Sequence, residues 1–545
     1  MKRFIIENRN LVILWVLCGI ALFIFCGHYG NILLDVGREI YYPEQILKGK
    51  VLYKDLFNIY GPFSYLWNAL LYKIFTPNLG TLYFSGIVCS FAIVTGTYFI
   101  AKNFLSEFLS LSIGIFTIVC GVCATHLFNY TLPYSYGMLY GTVGVIYSIL
   151  ALIKYKQENK TQYLYAAALL GGLCVSNKYD FFVYALFLLA VAFYTKNKKV
   201  ILNFITCFMF IPLMCALVLF LQHLNLSDCI KAYHDIKNIV ASNSISYFYS
   251  IQGIFFNPKV ILMWIINILK TGLCFLALIG GVKILDINKI FGGIIIAISA
   301  IVLFFISSPT VLMFLVPLTL LTMVVCINKV KNNIPLCCLI IGTLTVCTKC
   351  FWVFLTLNYG NYATPLLICS FLSILFTSID KKYQKAFAIG LLVISCYYLV
   401  DFSARRIALN YKVSTSKGTI FTYEKNAQTT NEVISGLVAS NAKRVVIYPE
   451  GLIINFLSGV KSDDYYNSLL PLYAESIGEQ KFIDVLNNFK PDFVILTNQN
   501  MYEYGSEYIC DNYAIGFCQE LNEKYVLADD IHDGFRYVVY GRKVR

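Results

Sequence analysis

Long apolar stretches alternate with short polar ones along residues 1–400. A bilayer core takes roughly 20 apolar residues per helix, and about thirteen such runs occur before residue 401. They cover approximately residues 11–26, 82–101, 105–124, 134–153, 163–175, 181–194, 200–221, 260–281, 291–306, 311–327, 334–355, 363–376 and 386–400. The pattern predicts a mainly α-helical, polytopic membrane protein with about thirteen transmembrane helices in residues 1–400.

The lysines between these runs fall on one side of the predicted membrane. With a cytoplasmic N-terminus, each even-numbered run returns the chain to the cytoplasm, and the positive-inside rule requires lysines in the loop that follows. Those loops hold Lys102; Lys154, Lys156 and Lys160; Lys196, Lys198 and Lys199; Lys283 and Lys289; Lys329 and Lys331; and Lys381, Lys382 and Lys385. This predicts a multi-pass plasma (inner) membrane protein whose C-terminal part is extracytoplasmic. The first run follows Met1-Lys2-Arg3 without a small-residue cleavage site, which indicates a retained helix.

Three predicted outer segments are long enough to build a site: residues 28–81, 222–259 and 401–545. In the first, apolar side chains recur after Pro62 at the i, i+3, i+4, i+7 spacing of one helical face. They are Phe63, Leu66, Trp67, Leu70, Leu71, Ile74 and Phe75. This predicts an amphipathic helix that lies in the membrane interface.

From residue 401 the chain turns polar and its periodicity changes. Short apolar runs at 444–448, 493–496 and 537–540 are bounded by turn residues, as strands are. Helical stretches near 428–440 and 478–489 precede the first two of these runs. The alternation predicts an extracytoplasmic α/β domain over residues 401–545.

Composition excludes a soluble globular protein. The chain is 58% hydrophobic and 13% charged, whereas soluble domains are about 25% charged. The net charge is +13, but the basic residues lie between apolar runs rather than along one polar surface, so binding to nucleic acid is not predicted.

Most of the 19 cysteines lie inside apolar runs and are interpreted as small buried hydrophobic residues. This includes both C-x-x-C pairs, Cys120/Cys123 and Cys347/Cys350, which no His or acidic cluster accompanies, so no metal site is predicted. Paired acids at Asp463-Asp464 are interpreted as solvated surface. Cys510 and Cys518 alone lie in the polar C-terminal part, where an oxidising compartment would allow a bridge.

The first outer segment carries a block of short motifs. D-x-G-R spans 35–38, G-x-x-L-Y-x-D-x-F spans 49–57, and Y-G-P spans 60–62; P-E-G at 449–451 precedes N-F-L-S-G at 455–459 in the C-terminal part. Together with the many spans, this block resembles the bacterial polytopic glycosyltransferases of the C-type (GT-C) superfamily, similar to protein O-mannosyltransferases and lipid A aminoarabinose transferases (glycosyltransferase family 39-like). The resemblance implies a GT-C fold, a polyprenyl-phosphate sugar donor and transfer on the outer membrane face.

Acidic residues of this block are the candidates for catalysis. An acceptor hydroxyl needs a carboxylate to take its proton as it attacks the anomeric carbon, and the resemblance places Asp35 in that role. The alternative for Asp35 is an N-cap or loop carboxylate. Glu39 and Asp55 are further catalytic candidates, which could orient the acceptor or hold Arg38, and Tyr53 and Tyr60 are candidates for binding substrate.

A donor phosphate also needs cations, because negative charge grows on it as the sugar leaves. The resemblance gives this role to Arg38, whose guanidinium binds phosphate in a bidentate manner; the alternative is pairing with Glu39 or Asp55. Lys178 and Lys349, near the outer ends of their spans, are the other candidates, with snorkelling to the interface as the alternative.

The sequence therefore predicts an inverting membrane glycosyltransferase that needs no cofactor. Its partners would be a polyprenyl-phosphate sugar donor, a glycan, lipid or protein acceptor of the cell envelope, and membrane lipids. The alternatives are a transporter or flippase of lipid-linked saccharides and a noncatalytic scaffold. No G-x-x-x-x-G-K-[ST] motif supports ATP-driven transport.

Overall fold

The structure is a computed structural model that describes residues 8–462 and 464–543. Met1-Lys2-Arg3, which precede the first predicted helix, and Asp463, one of the paired acids, lie outside the described residues. The other acid, Asp464, is buried and accepts a hydrogen bond from the Tyr448 hydroxyl, so its interpretation as solvated surface is wrong.

Helices make up most of the first 408 residues. They are α1 Arg9–Phe25, α2 Val36–Leu47, α3 Phe63–Ile74, α4 Leu79–Phe104, α5 Glu107–Thr117, α6 Tyr136–Glu158, α7 Thr161–Asn177, α8 Phe182–Tyr194, α9 Lys198–Leu221, α10 Leu226–Val240, α11 Asn243–Gln252, α12 Pro258–Leu285, α13 Lys289–Ile306, α14 Leu315–Val325, α15 Ile327–Val330, α16 Ile334–Val346, α17 Thr364–Leu375 and α18 Gln384–Ala408.

Six helices among the described residues are long and apolar enough to cross a membrane: α4, α6, α9, α12, α13 and the helix that ends at Ala408. Each of the other predicted runs also contains a helix, but these helices are shorter. The mainly helical, membrane-type architecture is therefore observed, and the count of about thirteen spans stays a prediction.

The long helices differ in what surrounds them. Most of the apolar stretch of α6 is buried against other helices, whereas α9, α12 and α13 expose most of theirs. Exposed apolar side chains on that scale are unfavourable in water and are typical of a surface that contacts lipid.

Helix α3 confirms the helix predicted after Pro62, and its two faces have distinct surroundings. Polar side chains on one face are buried against the protein, including Ser64 and Asn68. Trp67, Leu70 and Ile74 on the other face are exposed. A helix that turns its polar side inward and its apolar side outward fits an apolar environment, so its place in the membrane interface remains the prediction.

The C-terminal part folds as an α/β unit. It contains β1 Tyr411–Thr415, β2 Gly418–Thr422, α19 Glu424–Ala439, β3 Val445–Tyr448, α20 Leu452–Ser458, α21 Pro471–Ser476, α22 Gln480–Asn488, β4 Phe493–Thr497, α23 Ile515–Lys524, β5 Tyr525–Ile531 and β6 Tyr537–Arg542. Strands β1 and β2 form a hairpin, and the other four form a sheet in the order β3-β4-β6-β5. Only β3 and β4 are parallel, and the three predicted strands correspond to β3, β4 and β6.

The C-terminal unit shares its core with the outer segments of the helical part. Phe57 packs its ring against Tyr465, Tyr466 and Tyr473, with centroids 5.3 to 5.7 Å apart. Ile239 of α10 joins the same apolar cluster. The predicted bridge between Cys510 and Cys518 is present. Residues of the three predicted outer segments thus pack in one apolar cluster.

Candidate active site

A cavity of about 200 Å³ lies where the three outer segments meet. One wall comes from Leu34, Asp35, Arg38, Ile59 and Tyr60, and a second from residues of α10 and α11 between 239 and 252. The rest of the helical part contributes Leu127, Phe128, Tyr179, Lys349, Asn358 and Tyr359. The C-terminal unit contributes Glu450, Leu470, Leu472, Tyr473, Glu503 and Tyr504. Segments far apart in sequence therefore line a single, partly open cavity.

Asp35 and Arg38 enter the cavity together from the start of α2. Asp35 occupies the N-cap position, but its side chain makes no capping hydrogen bond. Its Oδ1 instead accepts a hydrogen bond from Nη2 of Arg38 at 2.9 Å, because residues i and i+3 share a helical face. The carboxylate keeps about a third of its surface exposed, at 31%, so it remains accessible to a substrate.

Glu39 lies behind this pair and supports it. Its carboxylate accepts hydrogen bonds from the Tyr65 hydroxyl and the Tyr136 backbone N–H, both at 2.7 Å. Nε of Arg38 is 3.7 Å from Glu39 Oε1 and donates to the Tyr65 hydroxyl at 3.2 Å. Burial raises the pKa of Glu39. The arrangement corresponds to the expected role of holding Arg38 and leaves Glu39 outside the cavity wall.

One carboxylate, that of Asp180, lies close to two lysines, Lys178 and Lys349. Oδ1 of Asp180 is 3.5 Å from Nζ of Lys349, and its Oδ2 is 3.8 Å from Nζ of Lys178. Lys349 lines the cavity, while Lys178 is fully buried and donates to the Tyr134 hydroxyl at 3.0 Å. Of the three predicted phosphate ligands, Arg38 and Lys349 therefore reach the cavity surface, and Lys178 lies one layer behind it.

Tyr60 lies between two of these cations. Cζ of Arg38 is 5.2 Å from the centroid of its ring, and Nζ of Lys178 is 4.1 Å from the same centroid. Such contacts attract a cation to the electron-rich ring face. Because Tyr60 itself lines the cavity, it offers a ring for stacking.

Tyr53 and Asp55 shape the loop that presents Tyr60. The Tyr53 hydroxyl donates to the Tyr60 carbonyl at 2.6 Å, and Asp55 Oδ2 accepts from the Val51 backbone N–H at 2.8 Å. Neither residue lines the cavity. The structure therefore brings Asp35, Arg38, Tyr60 and Lys349 together and leaves these two in supporting positions.

Two cavity carboxylates, Glu450 and Glu503, are not among the site residues predicted from the sequence. Burial, and then the nearby charge of Asp35, raises the pKa of Glu450 well above its usual range and that of Glu503 to about 7. Glu450 belongs to the P-E-G motif at 449–451, so the sequence contained a pattern that could have marked it as a candidate site residue. Glu503, between two tyrosines, offered none.

The cavity lining combines carboxylates, two cations and several tyrosines. Arg38 and Lys349 can hold an anion, the carboxylate of Asp35 can take a proton, and the lining tyrosines (Tyr60, Tyr179, Tyr249, Tyr359, Tyr473 and Tyr504) can stack on sugar rings. Within residues 8–462 and 464–543, no group of three His, Cys, Asp or Glu side chains is arranged to hold a metal ion.

No family model matches the sequence, and no curated protein matches it. Among solved structures, ArnT from Cupriavidus metallidurans bound to undecaprenyl phosphate aligns over 97% of each chain, with 8% identity and a TM-score of 0.44. The same protein in its apo state aligns over 97% of each chain, with 9% identity and a TM-score of 0.39. At these scores the likeness carries no functional argument.

Proposed function

We propose that the chain is a membrane glycosyltransferase that moves a sugar from a polyprenyl-phosphate donor to a cell-envelope acceptor on the outer membrane face. Residues 1–400 would form the transmembrane catalytic part, and residues 401–545 the extracytoplasmic α/β domain. The sugar would be transferred with inversion, and Asp35 would be the general base.

The observation that carries this proposal is that Asp35, Arg38 and Lys349 line one cavity, with Arg38 hydrogen-bonded to Asp35. Acceptor activation requires an accessible carboxylate within hydrogen-bond reach of a hydroxyl. Departure of the lipid phosphate requires fixed positive charge and no proton, because a phosphate is already a good leaving group.

In the proposed reaction one bond forms, one bond breaks and one proton is transferred. The acceptor oxygen forms a bond to the anomeric carbon as its proton passes to Asp35. The bond between that carbon and the phosphate oxygen breaks, and its electron pair leaves with the polyprenyl phosphate. Arg38 and Lys349 would stabilise the growing phosphate charge directly, and the buried Lys178 would add a longer-range contribution.

The decisive experiment is transfer by purified protein in liposomes that contain polyprenyl-phosphate sugars, with free polyprenyl phosphate as the readout. Asp35→Asn keeps the shape of the side chain and removes the base, so we expect the rate to fall by about 10² to 10⁴-fold with donor binding largely retained. Asp533→Asn, at an exposed position of the C-terminal unit, is the matched control and should be unaffected.

Two results would contradict the proposal in different ways. Near-normal turnover by Asp35→Asn would move the base to another carboxylate. Movement of intact lipid-linked saccharide across the liposome membrane without cleavage would favour the transporter or flippase.

A further inference from the structure

Asp180 is a buried carboxylate that the proposed reaction does not use. It lies in the short turn between α7 and α8, and its side chain is 4% exposed. It does not line the cavity. Burial of an ionised carboxylate is unfavourable unless opposite charge or hydrogen bonds compensate for the lost water. The groups that compensate for the charge of Asp180 therefore indicate what this residue holds in place.

Two lysines compensate for this charge. Oδ1 of Asp180 is 3.5 Å from Nζ of Lys349, and Oδ2 is 3.8 Å from Nζ of Lys178. Among the described residues, Oδ2 accepts no hydrogen bond. The carboxylate is therefore stabilised mainly by the charge of its two neighbours, and it in turn keeps two like charges close together.

Lys178 has partners besides Asp180. Its Nζ donates a hydrogen bond to the Tyr134 hydroxyl at 3.0 Å and lies 4.1 Å from the centroid of the Tyr60 ring. The side chain is fully buried, so close packing restricts it as well. Lys178 therefore does not depend on Asp180 alone for its position.

Lys349 depends on Asp180 more strongly. Its side chain is 14% exposed, and among the described residues its only ion pair is with Asp180. Its Nζ also lies 4.1 Å from the centroid of the Tyr359 ring. A ring face attracts a cation but offers no lone pair to direct its N–H groups. Asp180 is therefore the contact that fixes where Nζ of Lys349 lies.

Glu503 offers Lys349 a competing partner. Both residues line the cavity, and the charge of Lys349 lowers the pKa of Glu503. A lysine side chain is a flexible four-carbon stem, so a Lys349 released from Asp180 can turn towards Glu503. A lysine paired in that way would be less available to an anion in the cavity.

We propose that Asp180 is a positioning residue, which holds Nζ of Lys349 at the cavity wall and keeps it from pairing with Glu503, so that its charge stays available to the donor phosphate. The effect on the phosphate rests on the proposed function, whereas the hold on Lys349 does not.

Acetylation of Lys349 tests this hold without any assay of activity. Asp180→Asn keeps the shape of the side chain and removes its charge. An ion pair restrains the amine that the reagent must reach, so we expect acetic anhydride to modify Lys349 about 3- to 10-fold faster in this variant. The measurement is mass spectrometry of the purified full-length protein after timed exposure to the reagent.

The matched control is Asp401→Asn. It removes another carboxylate from an ion pair, which Asp401 makes with Arg405 at 3.1 Å, at a position outside the cavity lining. This variant should leave the acetylation rate of Lys349 unchanged.

Transfer kinetics test the consequence for the phosphate. Asp180→Asn should raise the donor KM by about 10-fold, but by less than about 2-fold in the Lys349→Met background, where no amine is left to hold. A purely structural contact would raise the donor KM equally in both backgrounds. A purely electrostatic role predicts the opposite sign, because loss of a negative charge near the cavity favours an anion.

Unchanged acetylation of Lys349 in Asp180→Asn would overturn the inference, and so would a lower donor KM or an equal loss in both backgrounds. If Asp180→Asn does not fold, the paired variant Asp180→Asn/Lys178→Met takes its place, since removing both charges of a buried pair is tolerated better than removing one. Faster acetylation of Lys349 is then required of that variant. A wild-type protein that transfers no sugar would remove the proposed function and leave the acetylation result to judge Asp180.

Discussion

At the scale of single residues, Arg38 connects most of the groups that the proposed reaction uses. Its guanidinium donates to Asp35 and to the Tyr65 hydroxyl, lies near Glu39 and faces the ring of Tyr60. A planar group with five donors can make these contacts at once and still present an edge to a phosphate. Arg38 therefore lies near Glu39, as the alternative interpretation expected, and also lines the cavity.

We predict that Arg38→Ala weakens donor binding and lowers the maximal rate together, by about 2 to 4 kcal/mol of transition-state stabilisation. Arg38→Lys keeps the charge and loses the fork, so it should fall between alanine and wild type. Steady-state kinetics with a lipid-phosphate sugar provide the measurement. Normal kinetics in Arg38→Ala, Lys178→Ala and Lys349→Ala alike would show that the donor class is wrong.

The pH dependence of donor binding should follow Glu503. Burial, and then the charge of Asp35, raises the pKa of its carboxyl, whereas the Tyr504 hydroxyl and Lys349 lower it; Glu450 is a further acidic neighbour. With a pKa of about 7, Glu503 gains negative charge as the pH rises through neutrality, and that charge opposes a phosphate in the same cavity. We expect the donor KM to rise with pH around 7 and to change less in Glu503→Gln. An identical pH profile in both proteins would contradict this assignment.

At the scale of elements, the sequence predicted those helices and strands that a run of neighbouring apolar residues determines. Apolar runs indicated the helices, because a long apolar segment is stable in lipid only when its backbone bonds are satisfied internally. The strands at 445–448 and 493–497 were equally visible as buried apolar runs. The hairpin at 411–422 was missed, since its turn is held by distant groups: Lys417 pairs with Glu44, and its carbonyl accepts from the Leu79 backbone N–H.

The same distinction separates the site residues that were found from those that were not. Asp35 and Arg38 are three positions apart, so a four-residue motif is enough to pair them. Glu450 and Glu503 reach that pair only because the C-terminal unit packs against α2. Tertiary packing of this kind leaves no periodicity in one sequence.

The contact between α2 and α20 gives a prediction at this scale. Gly37→Ala would place a β-carbon against the backbone at Ile453, and overpacking of this type costs about 1 to 3 kcal/mol. We expect a lower midpoint of thermal unfolding together with reduced transfer. Gly19→Ala in α1, where no atom lies within 4 Å of the added carbon, is the matched control; equal melting of the two variants would contradict the close approach.

At the scale of the whole molecule, the lysine bias predicts opposite sides of the membrane for Lys198 and Asp492. The driving force is the cost of moving cations across the membrane during insertion. Fusion reporters placed at residues 198 and 492 should report the cytoplasm and the exterior respectively. Both reporters on one side would invalidate the orientation and, with it, the outer location of the cavity.

The cavity draws its walls from residue 34 to residue 504, which has a consequence for how the protein is made. Chains grow from the N-terminus, so Asp35 emerges from the ribosome long before Glu450 and Glu503 exist. During most of synthesis the C-terminal residues that line the cavity with Asp35 and Arg38 have not yet been made. A product cut short after the helices would contain the candidate base and every predicted cation but would lack the C-terminal wall of the cavity, so we expect such a product to transfer no sugar.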